Sequence, residues 1–140
     1  METTVNTRVI FSAIRKAVSL SDEDITYTET VANIGNGMNP KTGVFTVPVS
    51  GIYSFSFSAL KDPNYTHFCN VYVKKNGEQQ FRIRETDFNA ADYYGNIGYS
   101  WTMALVQNDE ILLSGDIYDH PLYVDNLDFI WFNGHLLMKQ

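Results

Sequence analysis

The sequence predicts an all-β domain, and three observations support that prediction. The 140 residues include nine Phe, nine Tyr and two Trp, residue types that pack well on pleated sheets. Apolar and polar residues alternate in many short segments, which is the period of a half-buried strand. Turn-forming residues separate these segments at near-regular intervals, as in antiparallel sandwiches and jelly rolls. Only AIRKAVSL (13–20) could form a helix, and it is short.

Eight segments alternate clearly enough to be predicted as strands. In GIYSFSFSAL (51–60), aromatic residues alternate with serines, so the rings should enter the core while the serines face water or a neighbouring subunit. The remaining predicted strands, in chain order, are RVIFSAI (8–14), GVFTVP (43–48), FCNVYVK (68–74), QFRIRE (80–85), GYSWTMALV (98–106), EILLSG (110–115) and DFIWFNGHLLM (128–138). Turns are predicted at 35–43, 62–64, 76–77, 108–109 and 119–121.

The hairpin around residues 76–77 has two candidate registers. The dipeptide Asn-Gly favours a two-residue turn, but that register places Val71 opposite Arg82. An odd-length loop pairs Val71 with Ile83 instead, and burial favours it because a slip of one residue inverts every side chain. This register turns a small basic group outward, either as a solvated face or as an anion site, namely Lys74, Arg82 and Arg84.

Charge and hydropathy exclude several classes of partner. The net charge of −6 and the pI near 4.8 argue against nucleic acids and anionic membranes, which require a basic face. No apolar run approaches the roughly 18 residues of a spanning helix, so membrane insertion is not expected. The start, METTVNTRV, lacks the apolar middle of a signal peptide. The chain therefore either stays inside the cell or is a mature domain expressed behind a new Met.

The sequence lacks the motifs of common catalytic sites. It contains no Gly-rich phosphate loop after a strand, no CxxC, no HExxH and no nucleophile elbow. The three histidines lie far apart in sequence, and His135 falls within a predicted strand. The lone Cys69 alternates in step with apolar neighbours, which predicts a buried small hydrophobe rather than a reactive thiol. We therefore expect no enzymatic activity.

Two loops are candidates for metal binding and one for glycosylation. ETDFNAADYY (85–94) and GDIYDHPLYVDNLD (115–128) each carry several carboxylates, the hard oxygen ligands that Ca²⁺ prefers. Neither has the spacing of an EF-hand, so scattered solvated carboxylates are the alternative. NYT (64–66) is the chain's only Asn-x-Ser/Thr motif. Asn64 is therefore the expected glycosylation site if the protein is secreted from a eukaryotic cell, or else an unused motif.

NIGNGMNPKTGVFTVPVSGIYSFSFSA (33–59) resembles the signature of the globular head domain of complement component C1q. Tyr27 and Met38 stand where that family usually has Phe and another aromatic residue. In LVQNDEILL (105–113), Asn108 replaces a Gly and tolerates left-handed turn geometry. LYVDN (122–126) and FNGHLL (132–137) extend the resemblance over residues 8–138. The residues that match the signature are Asn33, Phe45, Gly51, Tyr53, Phe55 and Phe57.

The resemblance implies a ten-stranded jelly-roll β-sandwich of the C1q and tumour necrosis factor type. It implies one domain over residues 8–140, after an N-terminal tail of residues 1–7, that assembles as a homotrimer. Family members are mostly secreted, and many carry a collagen stalk, but this chain has no Gly-x-y repeat. The chain is therefore either a head from a longer protein or a stalkless form.

The same resemblance implies a non-covalent target. The leading expectation is lectin-like recognition of carbohydrate or microbial surface ligands in innate immunity. The alternative is a secreted protein ligand of a cell-surface receptor, as among hormones and synaptic organisers. No cofactor is required, but the resemblance allows Ca²⁺ bound by Asp87 and Asp92. The candidate ligand-binding residues are Tyr93, Tyr94, Tyr118, Asp119, His120, Arg82 and Arg84.

Overall fold

The computed structural model describes residues 7–18, 20, 23–62, 69–84, 95–115 and 122–140. These residues contain eleven strands and no helix, where the resemblance implies ten strands, and two of the eleven have only two residues. Residues 13–15, the start of the only candidate helix, continue the first strand. The strands are β1 (Ile10–Arg15), β2 (Glu29–Ile34), β3 (Met38–Asn39), β4 (Val44–Thr46), β5 (Gly51–Lys61), β6 (Asn70–Lys75), β7 (Glu78–Arg84), β8 (Asn96–Leu105), β9 (Glu110–Gly115), β10 (Leu122–Tyr123) and β11 (Ile130–Lys139).

The strands form two antiparallel sheets, which confirms the all-β prediction. In sheet A, β5 pairs with β8, β10 and β11, while β1 lies between β11 and β2. In sheet B the order is β3, β4, β9, β6 and β7. None of the described residues belongs to a helix that could span a membrane.

The core lies between the sheets and is built around the aromatic side of β5. Tyr53, Phe55 and Phe57 are buried while the intervening serines are not, as the alternation predicts. The Phe55 ring lies 5.6 Å from Trp101 and 6.0 Å from Phe45, measured between centroids. Burying each ring stabilises the fold by roughly 1.5–3 kcal/mol before entropy is counted. The predicted burial of Cys69 is likewise confirmed.

Gly134 of β11 lets the aromatic rings approach the sheet closely. A Cβ at this position would overlap the Phe11 ring and would come within 2.8 Å of the Phe55 ring. Both rings sit in a fully packed core and cannot withdraw. Any larger residue here would therefore have to displace the centre of the core.

The β6–β7 hairpin has the register that burial favours, but its loop has two residues, so the expectation of an odd-length loop is wrong. Asn76 and Gly77 have φ values of 53° and 82°, as in a two-residue turn of type I′. The register shifts after Val73, so Val71 still pairs with Ile83 as burial requires. A β-bulge therefore joins the favoured turn to the favoured register.

Strand β2 and the two short strands are not predicted by alternation. β2 is an edge strand of sheet A, and a register shift in its pairing with β1 breaks its period of two. Beside it, the Asn33 side chain donates to the Met38 carbonyl at 2.8 Å and accepts from the Met38 amide at 3.2 Å. Asn33, one of the residues that match the C1q signature, therefore closes the turn after β2.

Candidate functional site

The outer face of sheet A carries small side chains without a formal charge. Ser56 of β5 lies opposite Ser100 of β8 and Asn133 of β11. The Asn133 amide donates to the Ser56 hydroxyl at 3.4 Å, and its oxygen accepts from the Ser12 hydroxyl. We call the following eight residues the uncharged face: Ser54, Ser56, Ser58, Ser100, Thr102, Ala104, Asn133 and His135.

Exposed apolar residues border the uncharged face on one side. Ile10 of β1 lies opposite both His135 and Ile34, and Ile34 is 52% exposed. Leu137 and Met138, at the register shift in β11, are 55% and 65% exposed. Four large apolar side chains therefore meet solvent beside the uncharged face.

Two aromatic side chains, Phe129 and Trp131, lie at the end of sheet A where Trp131 pairs with Ser58. Ile130 and Phe132 are buried, whereas Phe129 and Trp131 stay half-buried with their ring centroids 6.2 Å apart. The Lys16 ammonium lies 5.5 Å from the Phe129 centroid and pairs with Glu29 at 3.0 Å. In the run FIWF (129–132), alternate residues therefore enter the core, and the other two are only partly covered.

The outer face of sheet B carries the basic residues predicted from the hairpin. Arg82 is exposed, while Arg84 and Lys74 are half-buried. Arg84 Nε donates to Asn70 Oδ1 at 3.1 Å. Tyr72 lies opposite Arg82 on one side and Ser114 on the other. We call Lys74, Arg82 and Arg84 the basic patch, and their predicted outward direction is confirmed.

A polar cavity of about 290 Å³ adjoins the basic patch. The Gly115 amide donates to the Glu23 carbonyl at 2.8 Å, which holds the segment before β2 alongside β9. Alternation along β6 could have identified Tyr72, but no pattern in the sequence identifies Glu23. We call this site the Tyr72 cavity, and the described residues that line it are Glu23, Tyr72, Lys74, Gln79, Ser114 and Gly115.

A second cavity, of about 530 Å³, shares Glu23 with the first. The other described residues that line it are Asp24, Thr26, Lys41 and Thr42. Within the ranges that the structure describes, no three His, Cys, Asp or Glu residues are grouped closely enough to hold a metal ion.

Two described carboxylates have a lowered pKa, and both of them organise turns. Hydrogen bonds from the backbone amides of Leu127 and Asp128, with one from the Tyr123 hydroxyl, lower the pKa of Asp125. This turn leaves Leu127 88% exposed. The Asn76 side chain similarly lowers the pKa of Asp109. These two carboxylates therefore have a structural explanation that requires no ligand.

Several of the predicted functional residues lie outside the described residues. For Asp87 and Asp92, calcium binding stays a prediction that thermal melting with excess Ca²⁺ and with a chelator would test. For Asn64, glycosylation stays a prediction for mass spectrometry of the protein from its native source. The candidate ligand-binding residues outside the described ranges are Tyr93, Tyr94, Tyr118, Asp119 and His120.

The sequence also matches known proteins. The C1q domain family matches residues 10–137. Complement C1q tumor necrosis factor-related protein 3 of Homo sapiens is 30% identical over 122 residues, which cover 86% of this chain and 47% of that protein. The Mus musculus protein of the same name matches to the same extent. The chain thus spans about half the length of these curated relatives.

Solved structures share the fold at low sequence identity. The globular domain of zebrafish complement 1qA protein has a TM-score of 0.74 and 18% identity, and the match covers 96% of this chain and 100% of that one. Murine APRIL at pH 8.5 has a TM-score of 0.68 and 18% identity, with 94% and 100% covered. These structures confirm the predicted jelly roll of the C1q and tumour necrosis factor type.

The family match settles which class of protein this is. Proteins with C1q and tumour necrosis factor-like domains bind ligands and are not enzymes, in agreement with the expectation from the sequence. The match extends from the start of β1 almost to the end of β11, and so includes both sheets. The chain belongs to the C1q domain family.

Proposed function

We propose that the protein is an extracellular homotrimer that recognises carbohydrate or other ligands of microbial surfaces. The basic patch is the observation that supports a microbial surface ligand as the target. Three cationic side chains share one outer sheet face of a chain whose net charge is −6. Microbial surface polymers commonly carry phosphate or carboxylate groups, and a local cationic face attracts such groups despite the overall charge.

The uncharged face and its apolar border support the homotrimer. Charged residues are depleted at the centres of subunit interfaces, and all eight residues of the uncharged face lack a formal charge. Flat serine-rich strands also allow a neighbouring backbone to approach closely. With sheet A covered in this way, the basic patch on sheet B stays accessible to a target.

A second candidate function is that of a protein ligand for a cell-surface receptor. The observation that favours it is the exposed apolar border formed by Ile10, Ile34, Leu137 and Met138. Contiguous apolar surface on a soluble protein usually marks a site of protein contact. If the trimer leaves this border uncovered, a receptor is the partner that it fits.

A glycan array and whole-cell binding with purified protein would test the proposed function. We expect binding to anionic glycans and to bacterial cells, and binding should weaken as salt rises because salt screens the patch. The double variant Arg82→Gln/Arg84→Gln should lose most of this binding. Lys139→Gln, which removes a cation from sheet A, should retain it. Absence of glycan and cell binding, with specific binding to a receptor ectodomain, would replace this proposal with the second candidate.

A further inference from the structure

The Tyr72 cavity contains two opposite charges that do not neutralise each other. Glu23 and Lys74 both line the cavity, yet neither forms an ion pair with another described residue. Ion pairing between them would have closed the site. Instead, the cavity offers one acceptor end and one cationic end.

The topology explains why the two charges stay apart. Glu23 lies beside Gly115 of β9, and β9 separates it from β6, which carries Lys74. Neighbouring strands are about 4.8 Å apart, so the backbone of Glu23 lies roughly 10 Å from β6. Tyr72, on the same strand as Lys74, pairs with Ser114 of β9, and these two residues supply a ring and a hydroxyl. A molecule that bridges the two charges must therefore cross an aromatic surface.

Electrostatics restricts what this cavity can accept. Glu23 repels a ligand that is only anionic, and Lys74 repels one that is only cationic. A ligand with both charges a few bonds apart satisfies both ends. Arg82 lies opposite Tyr72 on β7, outside the described lining, and its charge adds to the cationic surroundings of the cavity. Such surroundings suit a dianionic group better than a carboxylate.

We infer that the Tyr72 cavity binds a zwitterionic headgroup in which a primary ammonium lies two carbons from a phosphate, as in phosphoethanolamine. The phosphate accepts hydrogen bonds from Lys74, with Arg82 adding charge. The ammonium donates to the Glu23 carboxylate and lies near the Tyr72 ring, where cation–π attraction contributes. This assignment rests on the proposed function, because it names the chemical class of one surface ligand.

Isothermal titration calorimetry with O-phosphoethanolamine on the full chain tests the assignment. We expect saturable binding that is at least about tenfold tighter than that of inorganic phosphate or ethanolamine alone, since each fragment satisfies only one end. Binding of inorganic phosphate as tight as that of O-phosphoethanolamine would overturn the inference. It would show a simple anion site instead.

Matched variants separate the two ends of the cavity. Glu23→Gln and Lys74→Gln should each weaken binding of O-phosphoethanolamine about tenfold or more. Glu110→Gln and Lys139→Gln remove the same charges elsewhere and should leave binding unchanged. Equal affinity in all four variants, with unchanged melting temperatures, would overturn the inference.

Two further binding experiments determine whether the headgroup belongs to a lipid or to a glycan. One arm uses phosphatidylcholine vesicles with and without phosphatidylethanolamine, and the other uses an oligosaccharide with and without a phosphoethanolamine substituent. Binding that depends on the substituent in either arm supports the site and names the source. Binding of the free headgroup without either attached form would overturn the inference.

The outcomes also distinguish this inference from the proposed function. Binding to glycans and cells without binding of O-phosphoethanolamine removes the cavity assignment alone. Binding of O-phosphoethanolamine and of vesicles that contain phosphatidylethanolamine, by a protein that ignores every glycan and cell, removes the proposed function and leaves the cavity assignment in place.

Discussion

At the scale of single residues, two buried tyrosines differ in whether their hydroxyl has a hydrogen-bond partner. The Tyr53 hydroxyl donates to the Val49 carbonyl at 2.6 Å. The Tyr27 hydroxyl is buried and finds no hydrogen-bond partner among the described residues, and burial raises the pKa of Tyr27. An unsatisfied buried hydroxyl costs stability, whereas a satisfied one contributes.

The two tyrosines therefore predict opposite effects of the same substitution. Tyr27→Phe should raise the free energy of unfolding by about 1 kcal/mol, because it removes a group that was desolvated without compensation. Tyr53→Phe should lower it by about 1 kcal/mol, because the Val49 carbonyl loses its donor. Urea unfolding of both variants measures the contrast. Destabilisation by Tyr27→Phe would show that its hydroxyl has a partner after all.

At the scale of elements, the side chain and backbone of Asp109 connect the β8–β9 turn to the β6–β7 turn and to the segment after β4. Asn76 of the β6–β7 turn donates to Asp109 Oδ1 at 2.9 Å. The other oxygen of Asp109 accepts from the Val106 amide at 2.9 Å. The Asp109 carbonyl accepts from the Val47 amide, and the Asn108 amide donates back to the Val47 carbonyl. The β8–β9 turn is thereby held to both neighbouring connections.

This network predicts a pH dependence of stability. The Asn76 side chain is the main cause that lowers the pKa of Asp109 below its ordinary value of 3.8. A carboxylate with a lower pKa in the folded state adds stability that is present above the unfolded pKa and disappears as the pH falls through the folded one. The loss should therefore begin as the pH falls below about 4.

Asp109→Asn tests this dependence. The variant should be less stable than the parent at pH 7 and should lose less stability between pH 5 and pH 2, followed by urea unfolding at each pH. Glu78→Gln removes a carboxylate from the same hairpin without touching Asn76 and serves as the control. Parallel pH curves for Asp109→Asn and the parent would contradict the assignment.

At the scale of the whole molecule, we expect the uncharged face to pack against other copies of the chain in a trimer. Sedimentation equilibrium should give a mass of about 48 kDa, three times the 16.0 kDa of one chain. Ser56→Arg places a charge at the centre of the face and should dissociate the trimer, because an unpaired charge is costly to bury. Gln80→Arg, in an exposed position of β7, should leave assembly intact. A 16 kDa parent at micromolar concentration would remove the trimer proposal.

Much of the fold follows from local pattern in the sequence. Tyr53, Phe55 and Phe57 enter the core because successive side chains of a strand point to opposite faces. The same rule predicts that Arg82 and Arg84 point outward, and the structure confirms it. Burial predicts the register of Val71 with Ile83, and the structure has it. The two-residue turn at 76–77 is compatible with that register because a β-bulge accommodates one extra residue.

Only the tertiary structure decided which distant residues meet. β2 escaped prediction because its bulge at the sheet edge interrupts the period of two. The Tyr72 cavity joins Glu23, Tyr72 and Ser114 from three separate segments, and only the pairing of β6 with β9 and of Glu23 with Gly115 brings them together. Alternation is a property of one strand, whereas a binding site depends on the order and register of several, and non-local hydrogen bonds and packing set those.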